Sequence, residues 1–287
     1  MRGFVFAALL FACGANAQPP APVSIVAAGD IADCGSDAMQ FPTAALTAAL
    51  IDPSDRAVLT LGDNTYPVGA PKEFEDCFET NWGRFRDRIR PSPGNHDYMT
   101  TGADGYYGYF GAAAGPERRG YYSFDLGSWH LISLNSNIEA GAGSAQFAWL
   151  QADLAASAAL CTLAYWHHPV FTSGPHGNNP HMAAIFELLH AAGAEIVLAG
   201  HDHDYERFAP QNAQGQPDPE RGVRSFTVGT GGARLYSFRS PQPNSEVRDN
   251  SAHGVLRLAL GAASYRWAFI PVGGGPPRDE GAAECHR

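Results

Sequence analysis

Five short segments of the chain concentrate aspartate, asparagine and histidine side chains that could bind ions or move protons. They fall at the ends of predicted strands. Loops beyond the carboxyl ends of strands in an α/β sheet meet at one edge and form its ligand crevice, so we expect the segments to converge. In chain order they are Gly29-Asp30, Gly62-Asp63-Asn64-Thr65-Tyr66, Gly94-Asn95-His96-Asp97, His167-His168-Pro169 and Gly200-His201-Asp202-His203.

These residue types predict a site for two metal ions. Carboxylate, amide oxygen, phenolate and imidazole suit iron, manganese and zinc, and a carboxylate between two ions can bridge them. His201 and His203, separated by one residue, would lie on the same side of an extended loop, where each could face a different metal. The glycines that precede the ligands let the backbone approach the ions closely.

Segments rich in branched and aromatic residues predict the strands that hold these loops. Arg224–Val228 predicts a later strand, and Val255–Leu260 predicts a hairpin with Tyr265–Ile270. The earlier strands are expected at Val23–Ala28, Ala57–Leu61, Tyr121–Leu126, Trp129–Asn135, Thr162–Trp166 and Glu195–Ala199.

Two helical patterns lie between the predicted strands. Ser144 suits the N-cap of the first helix, and Pro180 suits the first turn of the second, which Gly193 ends. The alternation predicts an α/β domain in which two sheets pack together and helices cover the outside. Residues 211–221 and the tail 273–287 are predicted loops. The inward-facing residues of the two helices are Phe147, Leu150, Leu154, Met182, Ile185, Phe186 and Leu189.

Composition limits the domain organisation and the partners. A chain of 287 residues with 45% hydrophobic side chains can bury one full-sized core, and we expect a single domain over residues 18–287. The net charge of −10 makes nucleic acid a poor partner, because binding it depends on neutralising phosphates with basic side chains. Any attraction for phosphate must therefore be local.

Residues 1–17 have the pattern of an export signal. Arg2 precedes the apolar run Phe4–Ala12, and the small residues Ala15 and Ala17 frame a cleavage site. The run is too short to span a membrane, so we expect a secreted or periplasmic protein. An alternative interpretation makes Cys13 a lipidated residue that anchors the chain to a membrane.

Four cysteines follow the signal segment, which suits two disulfides in an oxidising compartment. Four residues permit three pairings. We expect Cys34 to pair with Cys77 and Cys161 with Cys285, since the first bond would brace the loops that follow two of the five segments.

The five segments occur in the order known from purple acid phosphatases, and the chain resembles that branch of the calcineurin-like metallophosphoesterases. The matching letters are GD at 29–30, GDNTY at 62–66, GNHD at 94–97, HHP at 167–169 and GHDHDYER at 200–207. The resemblance implies a four-layer α/β/β/α metallophosphoesterase fold, with two mixed sheets between helices. It also implies a dinuclear metal centre.

The resemblance assigns the metal ligands residue by residue. Tyr66 marks the purple subgroup, because a phenolate is a good ligand for ferric iron, so the first ion is expected to be Fe(III) and the second Fe, Zn or Mn. Asp63 is expected to bridge the two ions. The first ion would be held by Asp30, Asp63, Tyr66 and His203, and the second by Asp63, Asn95, His167 and His201.

The resemblance further implies that a metal-bound hydroxide attacks the phosphorus of a small phosphorylated substrate, most simply a phosphomonoester. His96 resembles the family histidine that contacts the phosphate. His176 lies where relatives place the proton donor to the leaving oxygen, so we expect it to be the general acid. His168 and His181 are weaker candidates for the same pocket.

Other functions stay open from the sequence. The same centre could hydrolyse phosphodiesters or pyrophosphate bonds, since it would activate water in each case. A non-catalytic phosphate-binding module is the alternative from another class, although a decayed site would be expected to lack some ligands.

Two further features lie close to the histidine motifs in the sequence. Gly229-Thr230-Gly231-Gly232 follows a predicted strand without a Walker-type lysine, so we expect a tight turn beside the site. Glu206 and Arg207 are expected to form an ion pair that braces the histidine loop.

Overall fold

The computed structural model describes residues 21–35 and 43–286. The expected signal segment and Cys13 lie outside these residues. Within the described ranges, no helix has the length and apolar character needed to cross a bilayer.

Fifteen strands and six short α-helices are described, joined by turns of 3-10 and π helix. The strands are β1 Val23–Ala28, β2 Ala32–Asp33, β3 Ala57–Leu61, β4 Thr65–Tyr66, β5 Ile89–Ser92, β6 Tyr122–Leu126, β7 Trp129–Ser133, β8 Cys161–Tyr165, β9 Ile196–Ala199, β10 Tyr205–Phe208, β11 Arg224–Val228, β12 Ser245–Asp249, β13 Gly254–Leu260, β14 Ser264–Pro271 and β15 Asp279–Glu284. The helices are α1 Thr43–Ala48, α2 Pro71–Glu73, α3 Glu79–Asn81, α4 Asp104–Phe110, α5 Ala145–Ala156 and α6 Ala183–Ala191.

Two large mixed sheets form the centre of the fold. The first has the strand order β15-β14-β13-β1-β3-β5, and the second has the order β12-β10-β11-β9-β8-β7-β6. Strands β1, β3 and β5 are parallel, as are β7, β8, β9 and β11, while the outer strands are antiparallel. The predicted α/β class with two packed mixed sheets is confirmed, although the helices are few and short.

Successive side chains of strand β9 point alternately into two hydrophobic cores, one on each face of the second sheet. Along β9, Ile196 and Leu198 face the core shared with the first sheet, whereas Val197 packs with Ile185 and Leu189 of α6. Successive residues of a strand point to opposite faces, so a continuous apolar run is required wherever both faces of a sheet are covered. Burial of each of these side chains stabilises the fold by about 1.5–3 kcal/mol.

The residues predicted to begin and end the two helices are confirmed. The hydroxyl of Ser144 accepts a hydrogen bond from the amide of Phe147 at 3.1 Å, and α5 begins at the next residue. Pro180 begins a 3-10 turn that leads into α6, and Gly193 follows that helix with a left-handed φ of 78°.

Both expected disulfides are confirmed. Cys34 pairs with Cys77, and Cys161 pairs with Cys285. The second bond ties the end of β15 to the start of β8 and so joins the edge of one sheet to the other.

The prediction of a loop throughout the tail 273–287 is wrong, because β15 lies within it and pairs with β14. Its sequence, Asp-Glu-Gly-Ala-Ala-Glu, lacks the branched and aromatic residues by which strands are usually predicted. Long-range contacts hold it instead. The buried carboxylate of Asp279 accepts hydrogen bonds from Tyr205, Arg207 and Trp267.

The predicted ion pair between Glu206 and Arg207 is also wrong. Both residues lie in β10, where neighbouring side chains point to opposite faces of the sheet. Arg207 pairs with Asp279 at 2.7 Å and with Glu246. Glu206 accepts hydrogen bonds from the amide and hydroxyl of Ser173.

Candidate metal centre

The five motif segments meet at one edge of the two packed sheets. Asp30 follows β1, Asp63 follows β3 and Asn95 follows β5, and these three parallel strands end on the same side. The histidine segments follow β8 and β9, which are parallel neighbours in the second sheet. The amide of His201 donates a hydrogen bond to Asp30 at 2.9 Å and so joins the two sets of loops.

Unusual backbone conformations turn the side chains toward one another. Asp30, Asp63 and His201 have φ values of 60°, 46° and 72°, in the left-handed region that non-glycine residues rarely adopt. Such conformations persist where surrounding contacts hold them and are frequent at functional sites. A Cβ atom on Gly62 would lie 2.5 Å from the imidazole of His167, so the loop can approach that ring only with glycine there.

Three other side chains, from three loops, surround the phenolic oxygen of Tyr66. It lies 2.8 Å from Oδ1 of Asp30, 3.1 Å from Oδ2 of Asp63 and 3.1 Å from Nε2 of His203. All four side chains are buried. The four residues expected at the first ion therefore lie together.

The residues expected at the second ion adjoin the same carboxylate. Oδ2 of Asp63 lies 3.2 Å from Nε2 of His167, and that nitrogen lies 3.1 Å from Oδ1 of Asn95. The His201 ring lies 5.0 Å from the His167 ring, measured between centroids. One oxygen of Asp63 thus faces both groups of side chains.

Backbone carbonyls fix which ring nitrogen of two histidines faces the cluster. Nδ1 of His167 lies 2.8 Å from the carbonyl of Leu61, and Nδ1 of His203 lies 2.8 Å from the carbonyl of Arg234. A carbonyl can only accept, so each Nδ1 carries hydrogen and Nε2 is directed at the acidic residues. This arrangement is usual for metal-binding histidines.

The electrostatics of the cluster favour a positive charge at its centre. Burial opposes protonation of His167, but the charge of Asp63 outweighs it and raises the pKa of His167 to about 9. Burial and the charges of Asp30 and Asp63 raise the pKa of Tyr66 well above its usual value. Within residues 21–35 and 43–286, the ion-pair partners of the Asp30 and Asp63 carboxylates are all histidines, with no lysine or arginine among them.

The donor set fits metal ions of the hard and borderline classes. It offers carboxylate, phenol and amide oxygens with three imidazole nitrogens, as iron, manganese and zinc prefer. Burial and the neighbouring imidazoles of His167 and His168 lower the pKa of His201, so its ring is neutral and can act as a ligand. The seven residues could hold two ions that share Asp63.

Three further predicted histidines surround the cluster. His96 contacts the carbonyl of Pro67 through Nδ1, and its Nε2 lies 4.0 Å from Asp63. The ring of His168 lies 4.5 Å from that of His201, and the ring of His176 lies 4.2 Å from it. The side chain of His176 is 41% exposed, which leaves it open to a substrate.

His181 lies farther from the cluster than the other three histidines, whereas the predicted glycine turn lies close to it. His181 is exposed, and its Nε2 contacts the carbonyl of Ile138. The amide of Gly231 donates to the carbonyl of Gly29 at 2.9 Å, so the turn at residues 229–232 lies directly behind Asp30.

Two residues beside the centre were missed by the sequence reasoning. Asp202 is buried, and its carboxylate accepts a hydrogen bond from Nδ1 of His176 at 2.8 Å. Its position between His201 and His203 could have suggested such a role. Tyr236 stacks on His203 with 4.0 Å between ring centroids, and no motif at its position signals this contact.

The sequence matches a known family over most of its length. The family model described as calcineurin-like phosphoesterase matches residues 5–205. Purple acid phosphatase 21 of Arabidopsis thaliana is 37% identical over 150 residues, which cover 48% of this chain and 34% of that protein. Purple acid phosphatase 18 of the same plant is 28% identical over 270 residues, which cover 84% and 58%. This chain therefore spans less than two thirds of either relative.

The fold has counterparts among solved structures. Purple acid phosphatase PPD1 from yellow lupin seeds superimposes with a TM-score of 0.73 at 18% identity, over 94% of this chain and 55% of that one. The likeness at this identity concerns the fold, with its two packed mixed sheets. The chain belongs to the calcineurin-like phosphoesterase family, and within it is similar in sequence to purple acid phosphatases.

Proposed function

We propose that the chain hydrolyses phosphomonoesters at a centre of two metal ions. The shared position of Asp63 carries the proposal, because its Oδ2 lies 3.1 Å from the Tyr66 oxygen and 3.2 Å from Nε2 of His167. Fe(III) suits the first position because of the phenol, and Fe, Zn or Mn suits the second. Asp30, Asp63, Tyr66 and His203 would hold the first ion, and Asp63, Asn95, His167 and His201 the second.

The chain's own residues would bind the phosphate and supply a proton. Two cations held there would stabilise charge on the phosphoryl oxygens and lower the pKa of the attacking water. His96 donates its Nδ1 hydrogen to the carbonyl of Pro67 and has Nε2 on the side of Asp63, where the protonated ring could donate a hydrogen bond to a phosphoryl oxygen. His168 is fixed by Ser136 through Nδ1 at 2.8 Å and borders the same space.

His176 is suited to protonate the leaving oxygen. Asp202 accepts its Nδ1 hydrogen, which orients the ring with Nε2 directed away from Asp202. An imidazole held in this way can direct a proton on Nε2 toward the leaving oxygen. Departure of an alcohol needs such a proton, because an unprotonated alkoxide is a poor leaving group.

Kinetics with defined esters test the proposed activity. The protein purified with its metals should hydrolyse an aryl phosphomonoester faster than the matching bis-aryl diester, as measured by kcat/KM. A preference for the diester, or for inorganic pyrophosphate, would assign the same centre to those substrates instead. A protein with two bound ions that is inert toward every one of these esters would indicate a phosphate-binding module.

We also propose that the protein works outside the cytoplasm on small phosphorylated substrates. Its two disulfides support an oxidising compartment. Fractionation of expressing cells tests this, since the mature protein should be found in the periplasm or the medium. Recovery in the membrane fraction would instead favour the lipid anchor at Cys13.

A further inference from the structure

Tyr236 links the two halves of the proposed active site, although it lies in none of the five motif segments. Its ring stacks on His203 with 4.0 Å between centroids and an angle of 10°. The same ring meets the ring of His176 at 5.5 Å and 64°. One aromatic side chain therefore contacts both a proposed metal ligand and the proposed general acid.

The backbone around Tyr236 is fixed on both sides of the site. Its amide donates to the carbonyl of His203 at 2.8 Å, and its carbonyl accepts from the side chain of Asn250 at 2.7 Å. Three residues later, the amide of Arg239 donates to the carbonyl of Ser173 at 2.9 Å, in the loop that carries His176. The ring is thus held in place before a substrate arrives, which is the condition for a specific contact.

Aromatic rings form a continuous arc around the centre, and Tyr236 closes it. Without Tyr236, the arc would have a gap between His203 and His176. The successive centroid distances are 4.4 Å for His96 to Tyr66, 5.9 Å for Tyr66 to His203, 4.0 Å for His203 to Tyr236, 5.5 Å for Tyr236 to His176 and 4.2 Å for His176 to His201.

Part of the Tyr236 side chain remains available to a ligand. The residue is only half-buried, and since His203 covers one ring face, its exposed surface belongs to the other face and the edge. Its hydroxyl has no hydrogen-bond partner among residues 21–35 and 43–286. Nothing in the described part of the chain therefore needs this hydroxyl.

A substrate's leaving group must pass this ring if His176 protonates the leaving oxygen. That oxygen would lie next to the His176 imidazole, and the group bonded to it extends outward past the neighbouring side chains. Tyr236 offers a flat apolar surface there, and flat rings gain most from stacking on such a surface.

We propose that Tyr236 forms a leaving-group subsite that selects phosphomonoesters with a flat aromatic leaving group. The inference rests on the proposed phosphomonoesterase function and adds the substrate class. Tyr236→Phe keeps the ring and should keep the preference, whereas Tyr236→Ala removes the surface.

Two esters of equal leaving-group acidity test the subsite. One is phenyl phosphate, and the other is an alkyl phosphate whose alcohol has been halogenated until it is as acidic as phenol. Tyr236→Ala should lower kcat/KM for the phenyl ester by about 2- to 10-fold more than for the alkyl ester, the range expected for one lost stacking contact. Inhibition by inorganic phosphate, which has no leaving group, should be unchanged in that variant.

Phe238→Ala is the matched control, because Phe238 lies on the same loop and has no ring contact with the site histidines in the described structure. It should leave the ratio of the two rates unchanged. The subsite is refuted if Tyr236→Ala slows both esters equally, if it weakens phosphate inhibition, if Tyr236→Phe loses the preference, or if Phe238→Ala reproduces the loss. A wild-type protein that hydrolyses neither ester refutes the proposed function itself, whereas hydrolysis of both without a phenyl preference refutes only the subsite.

Discussion

The phenolic oxygen of Tyr66 donates a hydrogen bond to Oδ1 of Asp30 at 2.8 Å, in a buried pocket with two carboxylates. Burial and the two carboxylates raise the pKa of Tyr66, so the phenol would give up its proton only when a cation takes the proton's place on the oxygen and the proton leaves to solvent. This pair supports the proposal that one ion would bind both oxygens.

Replacing Tyr66 by Phe should remove the visible absorption band of the iron-loaded protein, since that band would come from ferric phenolate. The change deletes one oxygen without adding bulk, so the fold should persist. An absorption spectrum of the iron-loaded protein is the measurement. Tyr109→Phe is the control, because the Tyr109 hydroxyl bonds to Glu79 away from the centre. A band that survives Tyr66→Phe would mean that Tyr66 is not a ligand.

Replacing His176 by Ala should slow esters with poor leaving groups by about 100-fold or more, within the range of general acid catalysis. Activated aryl esters should be slowed much less, because their leaving groups depart without a proton. Rates for esters of graded leaving-group acidity give the comparison. Equal losses across the series would exclude His176 as the proton donor. His190→Ala serves as the control, since His190 lies on α6, outside the site, and pairs with Asp218.

Asp202→Asn should reproduce part of that selectivity, because the carboxylate orients His176 through Nδ1 at 2.8 Å. We expect a smaller loss than for His176→Ala, with the same dependence on leaving-group acidity. A uniform loss across all esters, joined to loss of bound metal, would instead show that Asp202 only supports the histidine loop.

His130 should make stability depend on pH at a place remote from the centre. Its two ring nitrogens lie 2.7 Å from Asp125 and 2.8 Å from Asp153. The hydrogen bond to Asp153 is the main reason that the pKa of His130 is raised above 6.5, against the opposing effect of burial. A raised pKa means that the stabilisation is complete below the unfolded-state value and is lost as pH rises through the folded-state value.

Unfolding by urea at several pH values measures this effect. His130→Ala should lower the free energy of unfolding by about 1–3 kcal/mol below pH 6.5, and by less at alkaline pH. The exposed His181, replaced by Ala, is the comparison. If His130→Ala lowers the free energy of unfolding by the same amount at every pH, His130 is not charged in the folded protein.

Removing the Cys161–Cys285 disulfide by a double change to Ser should lower the free energy of unfolding by about 2–5 kcal/mol. The bond closes a loop with a sequence separation of 124, against 43 for Cys34–Cys77, so the corresponding change there should cost less. Equilibrium unfolding of both variants measures which disulfide contributes more to the free energy of unfolding. The opposite order would mean that native-state contacts outweigh the effect of loop length.

Sequence patterns located the loops of the candidate site because strand ends and ligand types coincide there. Asp30, Asp63 and His167 each follow an apolar run that could be predicted locally. The β15 strand could not be predicted in this way. Pairing with β14 and the buried contacts of Asp279 stabilise it, whereas its own residues have little preference for a strand.

The contacts of Tyr236 with the site and the orientation of Asp202 toward His176 could not be predicted from the sequence. Tyr236 is separated from His203 by 33 positions and from His176 by 60, and no spacing rule brings them together. Glu206 and Arg207 show the same limit of sequence-based prediction. They are neighbours in the sequence, but their side chains point to opposite faces of β10, and this direction is known only once the residues that form the strand are known.

Metal analysis of the purified protein and of Asp63→Asn tests the central claim most directly. The wild-type chain should carry about two ions, because one oxygen of Asp63 faces both groups of ligands. Asp63→Asn, which is nearly isosteric but uncharged, should lose most of both ions while keeping its fold by circular dichroism. A single ion in the wild-type protein, or two ions retained in Asp63→Asn, would contradict a centre shared through this carboxylate.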